Sequence, residues 1–240
     1  MLAQIGSQLE GQTRYSARLT SAGGQLQARF DSDLQGLASS LPAPFAKTAE
    51  TALPVRFEAS PTGTQQDRVA FQLGERIKAV FERDLSASYP RVRRGAIQID
   101  EHQAPEAALP ASGVDLGLKL DTVDVSAWQA LLTAPGADDD ASPGALPSTA
   151  AGMASAALRA HAVAGPADGE GRGRSEAQDG NPQSAHAAAL ASFLPTRIDV
   201  QARELRFANR SIHNLRASGT HRQGTWSADV SADEVQGQLR

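Results

Sequence analysis

The chain has 240 residues, a formal net charge of −4, few aromatic residues and no cysteine. Its basic residues are interspersed with acidic ones, which excludes the electrostatic footprint of a nucleic-acid-binding protein. The lack of cysteine removes disulfides, iron–sulfur clusters, thiolate zinc sites and cysteine catalysis together, in keeping with either a reducing cytosol or an envelope protein that avoids oxidation.

Met1 is followed by LAQIGSQLEGQTRYS, with neither a basic n-region nor an apolar h-region of an export signal. No uninterrupted apolar run approaches the roughly 18 residues of a membrane span. The strongest signal is period two, which on a pleated strand sends successive side chains to opposite faces. Tyr15, Ala17 and Leu19 alternate with Ser16, Arg18 and Thr20; after Ala22-Gly23-Gly24, Leu26, Ala28 and Phe30 alternate with Gln27, Arg29 and Asp31. This pattern predicts a hairpin. A short helix is expected over 33–39, capped by Ser32 or Asp33 and ended before Pro42 and Pro44.

A second hairpin is predicted where Val69, Phe71 and Leu73 precede Gly74-Glu75-Arg76 and Ile77, Ala79 and Phe81 follow. Val114, Leu116, Leu118 and Leu120 make the cleanest single strand. The spacing then becomes helical over 124–132, with Ser126 as the expected N-cap and Trp128, Leu131 and Leu132 on one side. Residues 134–192 are rich in Ala, Gly, Pro and Ser, and contain almost nothing β-branched. Such a stretch buries too little apolar area to offset its ordering entropy, so it reads as a disordered linker or insertion. A frayed helix near Ser184 to Phe193 is compatible with its alanines.

Alternation returns with Ile198, Val200 and Ala202, and continues through Leu205 and Phe207 after a local shift in phase. Further strands follow over Ile212 to Ser218, over Trp226, Ala228 and Val230, and from Val235 to Leu239. The expected architecture is therefore mainly β: an extended antiparallel curved sheet over 1–133 and 193–240, interrupted by the linker, with open edges at both ends.

Little in the sequence points to catalysis. The histidines at 102, 161, 186, 213 and 221 form no ligand-spaced pair. Asp138-Asp139-Asp140 lacks the spaced oxygens and turn glycine of a calcium loop. The GEGRGR stretch at 169–174 follows no strand and opens no helix, so it fails as a phosphate loop. No Gly-x-Ser-x-Gly elbow occurs. The expectation is a protein that is not an enzyme and needs no cofactor. Its apolar strand faces admit two arrangements, a closed sandwich core or an open trough whose inner face stays apolar, and periodicity does not separate them.

Two stretches carry a family resemblance. Asp31 to Lys47 (DSDLQGLASSLPAPFAK), between the GQTRYSARL strand and LPVRFE, resembles the Ser-Asp-Leu-x-Gly-Leu…Leu-Pro-x-Pro…Lys segment of the AsmA-like, YhdP-type family. Leu194 to Leu239 is similar to that family's recurrent block of a Leu-Pro entry, an alternating strand, a turn and two strands with a tryptophan. Val123 to Leu132 resembles its Asp-x-x-x-Trp lead-in.

The resemblance implies a segment of an envelope-spanning lipid-transfer protein, on the periplasmic face of a Gram-negative inner membrane, whose apolar groove shields phospholipid acyl chains between the inner and outer membranes. It implies further groove segments at both chain ends, and no nucleic-acid partner. The groove-lining residues expected on this basis are Tyr15, Leu19, Leu26, Phe30, Phe71, Leu73, Ile77, Phe81, Leu116, Leu118, Val200, Leu205, Phe207, Trp226 and Val230. The rival expectation is a structural or assembly scaffold acting through its sheet edges.

Overall fold

The structure is a computed structural model that describes residues 6–22, 25–133, 182–208, 210–222, 224–234 and 236–239. These residues form thirteen strands, β1 (Leu9–Gly11), β2 (Tyr15–Ala22), β3 (Gln25–Ser32), β4 (Leu37–Ser39), β5 (Val55–Gly63), β6 (Gln66–Leu73), β7 (Ile77–Asp84), β8 (Arg91–Asp100), β9 (Gly113–Asp124), β10 (Arg197–Phe207), β11 (Arg210–Arg222), β12 (Thr225–Ser231) and β13 (Gln236–Leu239). Two helices accompany them among the described residues, α1 (Val125–Thr133) and α2 (Pro182–Ala191).

Eleven strands form one open sheet in the order β13-β12-β11-β10-β9-β8-β7-β6-β5-β3-β2, while β1 and β4 pair separately. At about 4.8 Å per strand the large sheet is roughly 50 Å across. The mainly-β, open-sheet expectation holds. Both predicted hairpins are present, with Tyr15 opposite Ser32 and Leu73 opposite Ile77. The strands are antiparallel with one exception: β9 runs parallel to both neighbours, with Leu116 beside Ile97 on one side and Ile198 on the other. A parallel pair needs a long return connection. The stretch 101–112 supplies the first, lying against the polar face of the sheet. There Ala104 donates its backbone N–H to the Glu75 carbonyl at 2.7 Å, and Glu106 accepts from Lys78 Nζ at 2.7 Å.

The helix expected over 33–39 is not formed. Ser32 Oγ accepts the Leu34 N–H and Asp33 Oδ1 accepts the Gln35 N–H, at 3.1 and 3.0 Å. These hydroxyl and carboxylate groups therefore stabilise a turn, in which Leu34 has φ 50° and Gly36 φ 89°. The chain leaves it as β4. The small β1–β4 sheet folds over the large one through Leu34 and Leu37, which pack with Val55, Leu9, Leu53, Phe30, Phe71 and Leu73.

Helix α1 matches the sequence expectation, but its cap is Asp124, whose Oδ1 accepts the Ala127 N–H at 3.0 Å. Ser126, the expected cap, instead accepts the Ala208 N–H at 3.0 Å and ties the helix to the end of β10. Trp128 meets Phe45 of the β4 region edge-on, with ring centroids 5.7 Å apart. The helix allowed near Ser184 to Phe193, at the end of the stretch expected as a linker, is formed. Residues 182–191 are helical, and Ser192 Oγ accepts the Val92 N–H at 2.9 Å, a bond that holds the C-terminal end of α2 on β8. The triple aspartate, the GEGRGR stretch and most of the linker lie outside the described residues.

Candidate functional site: a continuous apolar face

Register places the alternating apolar residues in rows that cross the strands. One row runs Ala17, Phe30, Phe57, Phe71 and Ala79 through β2, β3, β5, β6 and β7, then Ile97, Leu116, Ile198, Gly219 and Ala228 through β8 to β12. Each member is the direct partner of the next. The adjacent row runs Tyr15, Ser32, Val55, Leu73 and Ile77, then Ile99, Leu118, Val200, Ala217 and Val230. Only Ser32 is polar in either row. A period-two pattern held in register over so many strands concentrates apolar side chains on one face from β2 to β12.

The opposite face is polar and neutralised across strands. Directly opposed pairs form ion pairs there: Arg56 with Asp31 at 2.8 Å, Arg94 with Glu82 at 2.7 Å, Arg197 with Asp115 at 2.8 Å and Lys119 with Asp100 at 3.3 Å. Hydrogen bonds from Arg29 and then Arg56 hold the Asp31 carboxyl down to about 2. Cross-strand charge pairs of this kind fix register as well as solubility.

No second sheet of comparable size opposes the apolar face among the described residues. The β1–β4 sheet covers part of it over β3 to β6, and Phe193, just beyond α2, packs on Phe81 with ring centroids 5.4 Å apart. Beyond β9 the apolar residues Ile198, Val200, Ala217, Ala228 and Val230 are only half-buried, and at the β2 edge Tyr15 and Leu19 are exposed. The closed-sandwich arrangement is therefore not the one adopted. One polar pair interrupts the apolar face, where Asp67 and Arg83 oppose each other at the next same-face position to Val69 and Phe81, between Pro61 and Val92. This ion pair is bidentate and almost fully buried.

The chain matches the model of the YhdP protein family over residues 2–240. It belongs to that family. No curated protein and no solved structure matches it.

Of the residues expected from the sequence to line a groove in this YhdP-family chain, all but two lie on the apolar face. Tyr15, Leu73, Ile77, Leu118, Val200 and Val230 share one row and Phe30, Phe71 and Leu116 the other; Leu19, Leu26 and Phe81 lie in the rows toward the far strand ends, with Trp226 opposite His221. Leu205 and Phe207 lie beyond a break. Three adjacent strands lose their pairing at one level, Asp121, Arg203 and Asn214, and Asn214 adopts φ 52°. Past it Leu205 lies between Val123 and Ile212. The phase shift in the sequence is thus a shared dislocation of β9, β10 and β11, and Arg203 bridges it to Asp121 at 2.9 Å.

Phe57, Ile97, Ile99 and Ile198 belong to the same rows although they were not among the expected lining residues. Their alternation with Arg56, Glu58, Gln98 and Asp199 was the signal available. Among the described residues no group of three or more His, Asp or Glu side chains is placed to hold a metal ion. Of the histidines, His213 Nδ1 donates to the Glu234 carboxylate at 2.7 Å, His221 stacks on Trp226, and His186 meets Tyr89 edge-on.

Proposed function

We propose that this chain is a segment of an envelope-spanning lipid-transfer protein whose apolar face shields phospholipid acyl chains between the inner and outer membranes of a Gram-negative bacterium. The observation that carries the reading is the pair of apolar rows continuous across the sheet, on a face that no comparable sheet covers among the described residues. Family membership supports it. Each methylene transferred from water to such a face is stabilised by about 0.8 kcal/mol. A row roughly 50 Å long therefore offers an acyl chain a path on which its tail is never fully hydrated. Headgroups remain in water, and no side chain performs chemistry. The protein works at the periplasmic face of the inner membrane, joined through the sheet edges β2 and β13 to further segments.

The test is the lipid content of the purified chain, read by mass spectrometry after extraction, together with transfer of a fluorescent phospholipid between vesicles. Copurified phospholipid that is lost when Leu118 and Val200 are replaced by aspartate supports the reading. A lipid-free chain that neither takes up nor transfers the fluorescent lipid overturns it. The exposed edges then favour the scaffold role.

A further inference from the structure

The strand ends on one side of the sheet combine exposed apolar side chains with an excess of cations, whereas the opposite ends carry an excess of acids. Val92 donates its N–H to Ser192 Oγ, which places Arg91 and Arg93, both exposed, beside the turn that leaves α2. Leu190 and Leu194 flank Ser192 in sequence and are 57% and 64% exposed. The chain continues through Thr196, whose carbonyl accepts the His221 N–H at 2.8 Å, into Arg197. Next to His221 are Arg222 and, across the ladder, Trp226, which is 40% exposed.

Of the acids on this side, Asp115 pairs with Arg197, and Asp84, which accepts the Ser86 N–H and lies opposite Arg91 in the ladder, balances one charge of Arg91 and Arg93. The opposite strand ends present six exposed acids, Asp33, Glu50, Glu75, Asp124, Asp233 and Glu234, against the exposed Arg14, Arg76, Arg206 and Arg210. The whole chain is acidic, so cations gathered at one edge run against its net charge.

We propose that the edge formed by Leu190, Leu194 and Trp226 with Arg91, Arg93 and Arg222 docks on an anionic phospholipid bilayer surface. Arginines at such an edge keep their guanidinium groups at the headgroup phosphates while their stems lie along apolar surface. Leucine inserts below the headgroups and tryptophan favours the interface itself. Charge complementarity selects the occupant: an apolar protein partner would leave the arginines unpaired, and a neutral surface would leave them without phosphate surplus. The docking does not require lipid in the rows of the apolar face, so the two readings stand or fall separately.

The test is cosedimentation of the full chain with vesicles of phosphatidylcholine alone or mixed with phosphatidylglycerol, at low and raised salt. Binding is expected to favour the anionic vesicles and to weaken with salt. R93Q/R222Q is expected to lower the partition coefficient about 25-fold, roughly fivefold per charge. L190S/L194S is expected to lower it about tenfold or more, and F207S, at the opposite strand ends, to leave it unchanged. Circular dichroism monitors folding. Where a variant does not fold, the lipid and salt dependence of the unmodified chain decides.

Equal binding to both vesicle types overturns the proposal. So does insensitivity to both double substitutions, or light scattering showing that Leu190 and Leu194 hold two copies of the chain together. Copurified phospholipid measured on the same samples separates the two readings. R93Q/R222Q protein that keeps its lipid but loses vesicle binding supports a distinct docking edge, whereas an unmodified chain that binds anionic vesicles without carrying lipid counts against the groove alone.

Discussion

Replacing Asp67 by alanine measures how well the apolar face is covered near Phe81. The Asp67 and Arg83 side chains are 1% and 3% exposed, and Arg83 Nε donates to Asp67 Oδ1 at 2.9 Å within a bidentate pair. Removing the carboxylate leaves a buried guanidinium, on the face that carries Val69 and Phe81, without this counter-charge. The loss expected for one half of a buried pair is about 3–5 kcal/mol, a large part of the roughly 5–15 kcal/mol that holds a domain folded. With a urea dependence of about 1–3 kcal/mol per molar, the unfolding midpoint falls by more than about 1 M.

The paired replacement D67L/R83M removes both charges and keeps apolar volume in their place. Its expected cost is near zero and it can be stabilising, because the desolvation of the ions disappears along with their attraction. Urea unfolding of the three proteins, followed by circular dichroism, gives both numbers. If D67A loses less than about 1 kcal/mol, the pair behaves as a hydrated surface pair, and the reasoning that α2 and Phe193 close this end of the face is wrong.

Two further outcomes follow from single sites. The Asp31 carboxyl is lowered to about 2 by Arg29 and Arg56, so its contribution is fully present above its ordinary value of 3.8 and is lost as pH falls through about 2. The side chain is a third exposed, which makes the contribution modest. In D31N protein the acid-side slope of stability over that window flattens, while an unchanged slope means that Asp31 is not the group responsible. At Gly95 an added Cβ would lie 2.4 Å from Phe81 Cδ1, because the Phe81 ring lies over the glycine of the neighbouring strand. Gly95→Ala displaces that ring from Phe193 at a cost of about 1–3 kcal/mol in thermal or urea unfolding; a neutral effect would show that the ring has room to move.

Much of the sheet was legible because period two is a local property. Tyr15 to Phe30, Val69 to Phe81 and Val114 to Leu120 each state in sequence which side chains share a face, and no distant contact is needed to read it. The failures were of two kinds. Ser32 and Asp33 suit a helix cap and an Asx-type turn equally well, and what distinguishes them is the packing of Leu34 and Leu37 on Val55, which rewards the turn. Strand β8 is masked in the sequence because Arg93 and Arg94 interrupt the alternation between Val92 and Ile97, at a bulge opposite Glu82 and Arg83.

The sequence alone determined which residues alternate, and hence that one face of each strand is apolar and the other charged. It also set the phase change before Leu205 and the exclusion of cysteine chemistry. Tertiary structure alone decided that these faces join into rows across the sheet, that β9 lies parallel between β8 and β10, and that Asp67 and Arg83 are buried together. The physical reason is that alternation is imposed by the pleat of a single strand. Register, strand direction and the burial of a charge pair depend on partners that are distant in the chain and meet only when the sheet has assembled.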